Sequence, residues 1–335
     1  MKRKYQENSQ QKLPDITIII ATKPGGKCEE VLNSIKNIKY PLERIEIIIS
    51  EGKNPSKQRN EAIKQSSGDF LFFFDDDVII EENTIIELLK CYNEDTIALA
   101  GGPNLTPKSN SSLQKCFGIA LSNFFGSAQV RYRYKSIGKK KYATEYDLIL
   151  CNLSGRKEIL MKNLFDESLW PNEENELINR VIARKHKAIY NPDAVVFHSR
   201  REDVLSFIRQ VFNYGKSRTK HILKKYRMSN VIFLIPSIFL IYLFLILVYI
   251  ISPIYIRHIG RFTFLPLIAY ISISILTSLN IAFVNKNINL VIQMPFIFLI
   301  IHISYGAGMI FSLFEPKIKK SSSIKLRRLR IKKTK

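Results

Sequence analysis

The sequence has few of the features that build disulfide-linked or zinc-dependent modules. Its four cysteines, at positions 28, 91, 116 and 151, form no Cys-x-x-Cys pair, and their spacing fits no zinc site. Residues 1–15 contain no apolar run, so we expect no signal peptide to export the first half of the chain. These absences exclude a disulfide-built secreted module and predict free thiols in a reducing compartment.

Acidic residues are missing from a long C-terminal stretch. None occurs between positions 229 and 314, where three apolar segments lie at about 231–251, 262–284 and 290–314. Each segment reaches the roughly 20 residues that a membrane span needs. A buried core would require three long helices that are apolar all round. We therefore predict a membrane domain over 229–314 and exclude a simple soluble globule.

Positive charge exceeds negative charge, with 51 Lys and Arg against 29 Asp and Glu and a formal net charge of +22. The basic residues cluster beside the apolar segments, in the stretch 204–228 and in a polybasic tail at 315–335. This placement favours anionic membrane lipid as a partner and not nucleic acid. Residues 204–228 predict an amphipathic basic helix on the membrane surface. The alternative is an ordinary amphipathic helix packed on the soluble domain.

Strand and helix patterns alternate over residues 15–203, after a predicted flexible lead at 1–14. Apolar runs at 16–22, 45–50, 70–74 and 96–100 predict buried strands, with helical spacing between them. This rhythm is typical of an α/β fold with a mostly parallel sheet and helices on both faces. Such sheets bind ligands beyond the carboxyl ends of their strands.

Three consecutive aspartates follow the strand FLFFF. Asp75 and Asp77 are two residues apart, so both carboxylates can point toward one site at the edge of the sheet. Hard oxygen ligands suit Mg²⁺ or Mn²⁺, and these ions bind diphosphates. We predict a divalent metal site here; the alternative is a polar turn that caps the next helix.

Several segments together carry a family resemblance. IKYPLERIEIIIS, NPSKQRNEAIKQSSGDFLFFFDDDVIIEEN, CNLSGRKEIL, FDESLWPNEENELINRV and NPDAVVFH occur in the order found in family 2 glycosyltransferases with the GT-A (Rossmann-like) fold. HISYGAG, inside the last apolar segment, resembles the membrane-bound succinoglycan-biosynthesis-type branch. The resemblance covers residues 15–220 well and the membrane part loosely.

The resemblance implies roles for residues in the donor half of the site. It assigns the metal to Asp75, Asp77 and His198. The other donor contacts fall on Thr22, Glu51, Arg59 and Asp76. Glu51 stands where the family has Asp. Arg59 as a helix-surface residue and His198 as a structural histidine are the alternatives.

The resemblance also implies the residues that act on the acceptor. Glu174 matches the general base, with Glu173 as its rival one position earlier; an acid-rich helix N-terminus is the alternative. The predicted acceptor contacts are Asn152 and Trp170 in the acceptor half and, from their polar side chains within the last apolar segment, His302 and Tyr305. Polar groups at membrane depth usually face protein or a cavity. Packing of the last apolar segment through its small residues is the alternative for His302 and Tyr305.

Together these features predict an inverting, metal-dependent glycosyltransferase in the inner membrane, multi-pass, with its catalytic domain in the cytoplasm. Its predicted substrates are a nucleoside-diphosphate sugar and a saccharide linked to polyprenyl diphosphate. A polyprenyl-phosphate glycosyltransferase and a non-catalytic basic membrane scaffold remain alternatives. A processive synthase is disfavoured because the expected Arg-Trp pair is replaced at 213–214. The positive-inside bias predicts a cytoplasmic tail and only two full membrane crossings.

Overall fold

The computed structural model describes residues 13–169, 171–224, 228–251, 262–315 and 324–329. Most of the predicted lead at 1–14 and of the predicted tail at 315–335 lies outside these ranges, as does Trp170.

The first part of the chain alternates strands and helices, as its apolar pattern predicts. Its elements are β1 (Ile16–Thr22), α1 (Glu29–Lys36), β2 (Ile45–Glu51), α2 (Pro55–Gln65), β3 (Phe70–Asp75), β4 (Val78–Ile80), α3 (Thr84–Leu89), β5 (Ile97–Gly101) and β6 (Asn104–Leu105). Local chemistry sets the start of α2. The Asn54 side chain accepts a hydrogen bond from the Lys57 N–H, and Pro55 occupies the first turn.

The second part adds short strands and the long helices. Its elements are α4 (Ser112–Leu121), α5 (Phe124–Ser127), β7 (Lys141–Tyr142), β8 (Leu153–Arg156), α6 (Lys157–Met161), α7 (Glu173–Ala183), β9 (Lys187–Tyr190), β10 (Val196–His198), α8 (Val204–Lys224), α9 (Ile235–Ile251), α10 (Leu265–Val284), α11 (Leu290–Phe314) and β11 (Lys325–Leu329).

The main sheet has the strand order β11-β2-β1-β3-β8-β5-β9-β7. Strand β1 pairs in parallel with β2 and β3, and β5 pairs in parallel with β9. The predicted mixed α/β fold with a mostly parallel sheet is therefore confirmed. Strands β7, β8 and β11 run antiparallel to their neighbours. The sequence did not predict them because such short strands carry little periodic signal.

Both faces of this sheet are covered, which explains its unbroken apolar strands. Ile18, Ile20 and Phe72 join one core cluster with α1 and α3, whereas Ile19 and Phe73 join a second cluster on the opposite face. Alternate side chains of each strand thus pack into the cores on opposite faces of the sheet. The packing fixes the register in which β1, β2 and β3 end together.

A second, three-stranded sheet places a histidine beside the aspartates. Strand β10 pairs antiparallel with β4, and His198 lies opposite Val78 in this register. Because Val78 directly follows Asp77, the pairing brings two positions 121 residues apart into contact.

Three helices are long and apolar enough to cross a membrane: Val231–Ile251, which includes α9, Leu265–Val284 (α10) and Leu290–Phe314 (α11). Helices α9 and α10 leave most of their apolar side chains exposed. Helix α11 is more buried, because Met294 and Phe298 join a core cluster with Phe117 of α4 and Phe207 of α8. This third cluster joins the α/β domain to the apolar helices.

Candidate active site

A cavity of about 1610 Å³ begins at the carboxyl ends of the parallel strands and reaches the apolar helices. Thr22 and the three aspartates line one end, and Glu173 and Glu174 line its middle. The other end is lined by side chains of the apolar helices and the turn before them, namely Phe233, Ile235, Pro236, Phe239, Pro266, Ala269, Tyr270, Ile273, Ile301, His302 and Tyr305. The cavity thus joins a carboxylate-rich pole to an apolar pole.

The predicted metal residues lie together at the carboxylate-rich pole. His198 Nε2 is 3.2 Å from Asp77 Oδ1. Asp75, His198 and the thiol of Cys151 offer ligand atoms that all lie within 4.8 Å of one another. Cys151 was not predicted; its Sγ accepts a hydrogen bond from Asn104 Nδ2 at 3.3 Å. The β4–β10 pairing brings His198 to the aspartates, and the β3–β8 pairing brings Cys151 there; the sequence reveals neither pairing.

Burial and charge act in opposite directions on these groups. Burial raises the pKa of Asp75 despite the nearby Arg59 guanidinium. Burial would also raise the pKa of Asp77, but the hydrogen bond and positive charge of His198 outweigh it and lower that pKa. Burial lowers the pKa of His198, yet hydrogen bonds to Asp77 and Cys151 raise it overall to about 10.

The side chains present fit a divalent cation. Asp75 and Asp77 supply carboxylate oxygens, the ligands that Mg²⁺ and Mn²⁺ prefer. Both carboxylates line the open cavity, where a diphosphate could complete the coordination. His198 could add a nitrogen ligand after losing its proton, since only a neutral imidazole binds a metal.

Two buried ion pairs hold the candidate bases at the N-terminus of α7. Arg59 Nη1 lies 2.7 Å from Glu173 Oε1, and its Nη2 lies 3.4 Å from Asp75 Oδ1. Arg133 Nη1 lies 3.1 Å from Glu174 Oε1, and Arg133 also bonds the Asn175 side chain. Arg59 is therefore a buried link between the aspartates and Glu173, and not a helix-surface residue.

The two glutamates differ in which part of the cavity they serve. Glu173 is tied through Arg59 to the aspartate end, whereas Arg133, the partner of Glu174, lies near Tyr305 of the apolar end. Burial raises the pKa of Glu173 to about 7, against the opposing charge of Arg59. Such a pKa belongs to a carboxylate that can exchange a proton near neutral pH.

The remaining donor residues divide into two groups. The Thr22 hydroxyl donates a hydrogen bond to Asp76 Oδ2, and both residues line the cavity. Glu51 ends β2 but does not line the cavity, whereas the following Gly52 and Lys53 do. Lysines 23 and 27 join Lys53 in the cavity wall. Sequence reasoning missed this basic rim, although its lysines flank the predicted strand ends.

The predicted acceptor residues have different surroundings. Asn152 is fully buried outside the cavity wall, and its Nδ2 donates to the carbonyl oxygens of Pro103 and Ala194. This arrangement gives Asn152 a structural role. His302 lines the cavity, with Nδ1 3.0 Å from the Tyr270 hydroxyl and Nε2 2.9 Å from the Phe125 carbonyl oxygen. Both its nitrogens therefore have protein partners. Tyr305 lines the cavity, and Trp170 lies outside the described residues.

The basic face of α8 is used within the protein. Arg218 is buried, and Lys216 and Lys220 both pair with Glu315 just beyond α11, at 2.6 and 2.9 Å. These contacts support the alternative in which α8 packs on its neighbours. Anionic lipid as a partner stays a prediction.

The family model for glycosyl transferase family 2 matches residues 9–164. This stretch holds the strand ends and Asp75–Asp77 described above. This part of the chain thus matches the family 2 glycosyltransferase domain. The predicted enzyme class, a glycosyltransferase, is therefore confirmed.

Two curated glycosyltransferases are similar to the chain. One, from Methanococcus voltae, is a dolichyl N-acetyl-alpha-D-glucosaminyl phosphate 3-beta-D-2,3-diacetamido-2,3-dideoxy-beta-D-glucuronosyltransferase; it is 24% identical over 67% of this chain and 70% of its own length. The other, from Campylobacter jejuni, is a GalNAc(5)-diNAcBac-PP-undecaprenol beta-1,3-glucosyltransferase; it is 21% identical over 54% of each chain. The match thus spans about half the length of the second relative.

Solved structures are also similar to part of the chain. The mannosyltransferase PcManGT from Pyrobaculum calidifontis, in complex with GDP-Man and Mn²⁺, aligns with a TM-score of 0.46 and 16% identity over 63% of this chain and 65% of its own. Residues 1–349 of TarS from S. aureus, in complex with UDP-GlcNAc, align with a TM-score of 0.43 and 14% identity over 64% and 77%.

Proposed function

We propose that this enzyme transfers a sugar from a nucleoside-diphosphate sugar to a saccharide carried on a polyprenyl phosphate or diphosphate, with inversion at the anomeric carbon. One observation carries this proposal. The cavity runs without interruption from Asp75–Asp77, past the two glutamates, to apolar helices long enough to cross a membrane. A soluble sugar donor and a membrane lipid could therefore enter from opposite poles. Both curated relatives bear the names of enzymes that act on lipid-linked saccharides.

The roles of the residues follow from their positions. Thr22 and Asp76 shape the wall around the nucleotide, and Arg59 offsets charge on the leaving diphosphate. Asp75 and Asp77, with His198, would hold Mg²⁺ or Mn²⁺, which would neutralise further charge on that diphosphate. We still propose that Glu51 contributes to binding the nucleotide base, because the residues that follow it, Gly52 and Lys53, line the cavity.

Glu174 is the proposed general base. It lies on the acceptor side of the cavity and would take the proton of the attacking hydroxyl. That oxygen bonds to the anomeric carbon on the face opposite the diphosphate, which departs with its electron pair. A single displacement of this kind inverts the anomeric configuration. Glu173 orients Arg59 through the 2.7 Å ion pair.

Replacing the base tests this assignment. Glu174→Gln keeps the size of the side chain but cannot accept the proton, so we expect turnover to fall about 10²- to 10⁴-fold with donor binding unchanged. Glu176→Gln, on the same helix and paired with Arg180, is the matched control. Loss of turnover in Glu173→Gln, with normal turnover in Glu174→Gln, would show that Glu173 is the general base.

A polyprenyl-phosphate acceptor is the second candidate, favoured by the ion pair that ties Glu174 to Arg133. An acceptor that is already an anion needs no base, so Glu174→Gln would then keep its activity. A transfer assay distinguishes the candidates. Purified full-length enzyme with Mn²⁺ is given a panel of labelled nucleotide sugars and one of two acceptors. The acceptors are a polyprenyl phosphate and a polyprenyl-diphosphate saccharide. No transfer or sugar-nucleotide hydrolysis under any of these conditions would contradict both.

A further inference from the structure

Arg218 is a buried cation whose guanidinium is not fully paired. It lies on α8, has 4% of its surface exposed, and lines the cavity. Within the described residues, its Nε and Nη1 atoms have no hydrogen-bond partner. A buried charge without a full set of partners is unfavourable unless a counter-ion can enter.

The other buried arginines of the cavity wall are held by protein oxygens. Arg59 and Arg133 pair with Glu173 and Glu174, and Arg200 donates to the backbone and side chain of Asn104. Arg218 is surrounded by rings instead. Its Cζ lies 4.3 Å from the centre of the Phe233 ring and 5.8 Å from that of Tyr146. The Tyr305 hydroxyl is hydrogen-bonded to the Arg218 guanidinium, which leaves Nε and Nη1 without a partner.

The position of Arg218 indicates the chemistry of the missing anion. Phe233 and Tyr305, which flank it, belong to the apolar pole of the cavity, away from Asp75–Asp77. An anion that carries a hydrocarbon part could pair with Arg218 and also fill the space among α9, α10 and α11. A planar guanidinium suits the oxygens of a phosphate.

We propose that Arg218 binds the phosphate of the acceptor's lipid carrier and so positions the attached saccharide beside Glu174. Arg218 is then a positioning residue, and the apolar pole holds the first part of the prenyl chain. The inference rests on the proposed function, because it names how that function recognises its acceptor. It also gives a use to a basic residue that the sequence alone assigns to the membrane surface.

Binding of two prenyl lipids that differ only in the phosphate tests this inference. Full-length enzyme in neutral detergent is titrated with farnesyl phosphate and with farnesol. We expect wild type to prefer the phosphate at least about tenfold, as one or two charge-assisted hydrogen bonds would give. Arg218→Gln should lose this preference, and Arg218→Lys should keep part of it. Arg209→Gln removes an exposed charge from the same helix and should behave like wild type.

Two further measurements separate the possible failures. Donor binding with Mn²⁺ should be the same in wild type and Arg218→Gln, because the donor lies at the other pole; a weaker donor would overturn the assignment. Retention of the phosphate preference in Arg218→Gln would also overturn it, as would full competition by phosphatidylglycerol, which would indicate a general phospholipid site. If wild type transfers no sugar yet Arg218 governs phosphate binding, the proposed function fails and the phosphate site stands.

Discussion

Asp77 has the most exposed carboxylate of the predicted metal residues, and it contacts His198 across the β4–β10 pairing. We predict that Asp77→Ala abolishes transfer and the effect of Mn²⁺ on donor binding, because the cation loses one of two carboxylate ligands. It should still fold, since the side chain is more than half exposed at 56%, but loss of the hydrogen bond to His198 should lower its melting temperature.

Asp95→Ala is the control for this experiment, because Asp95 is a fully exposed carboxylate outside the cavity wall. It should retain activity and the response to Mn²⁺. Full transfer by Asp77→Ala in saturating EDTA would show that the carboxylates at the end of β3 serve another purpose.

Glu173 gives the stability of the protein a defined dependence on pH. Burial raises its pKa from 4.5 to about 7 on folding. Between these values the folded state binds the extra proton, so stability is highest at the acidic end, falls as the pH rises, and levels off above about 7. We predict that the melting temperature of wild type declines from about pH 5 to pH 7.5 in the absence of donor and metal.

Glu173→Gln should flatten that decline, because glutamine stays neutral while it can still accept a hydrogen bond from Arg59. Glu176→Gln should keep the wild-type slope. An unchanged slope in Glu173→Gln would show that other groups cause the pH dependence.

The residues that the sequence identifies are those whose neighbours along the chain already define a site. Asp75, Asp76 and Asp77 follow a buried strand, and Glu173 and Glu174 open a helix, so local patterns are sufficient. Cys151 and Arg133 enter the site only through long-range pairing and packing, which leave no local signal. Asn152 is the opposite case. The resemblance predicts that it contacts the acceptor, but in the structure it is buried and its amide donates to two backbone carbonyl oxygens.

At the scale of elements, α8 and α11 pack so closely that glycine is required where they meet. A Cβ atom on Gly308 would overlap the Phe212 carbonyl oxygen of α8, and one on Gly215 would overlap the Tyr305 carbonyl oxygen of α11. The sequence predicts close approach from these small residues. It does not identify the partner helix, because nothing local links residue 308 to residue 212.

We predict that Gly308→Ala destabilises the protein by about 1–3 kcal/mol, because the two backbones must separate. Alanine is the better helix former, so without this contact the same change would be stabilising. The melting temperature in detergent is the measurement: a decrease in Gly308→Ala indicates the close backbone contact, and an increase indicates that helix propensity alone matters. Ala307→Gly is the neighbouring control, with a loss of at most about 1 kcal/mol from helix propensity.

At the scale of the whole molecule, the pairing of strand β11 predicts on which side of the membrane residues 325–329 lie. Residues Lys325–Leu329 pair with β2 of the glycosyltransferase domain. We therefore expect them to lie on the same side as that domain, which predicts an even number of crossings. The charge distribution predicts the same outcome, since a basic tail favours the cytoplasm.

The contacts of α11 indicate which helices cross. At one end of α11, the Cys116 thiol of α4 lies 3.1 Å from Gln293 Oε1. Toward the other end, Thr219 of α8 donates to the Met309 carbonyl oxygen at 3.1 Å, and Lys216 pairs with Glu315. Helix α11 thus stays against the glycosyltransferase domain and α8 along its length. We therefore expect helices α9 and α10, with their exposed apolar faces, to be the crossing pair.

We predict that the enzyme crosses the membrane twice, through α9 and α10, with the glycosyltransferase domain and β11 both in the cytoplasm. Single cysteines at Phe262, Asn287 and Arg327, all exposed positions, test this in a background whose four buried native cysteines are replaced by alanine. An impermeant thiol reagent on intact cells should label Phe262→Cys alone, and permeabilised cells should show all three.

Labelling of Arg327→Cys with Phe262→Cys in intact cells would mean three crossings and a β11 that cannot pair with β2. Labelling of Arg327→Cys and Asn287→Cys without Phe262→Cys would keep two crossings but reverse the orientation. The experiment thus tests the strand pairing and the charge bias separately.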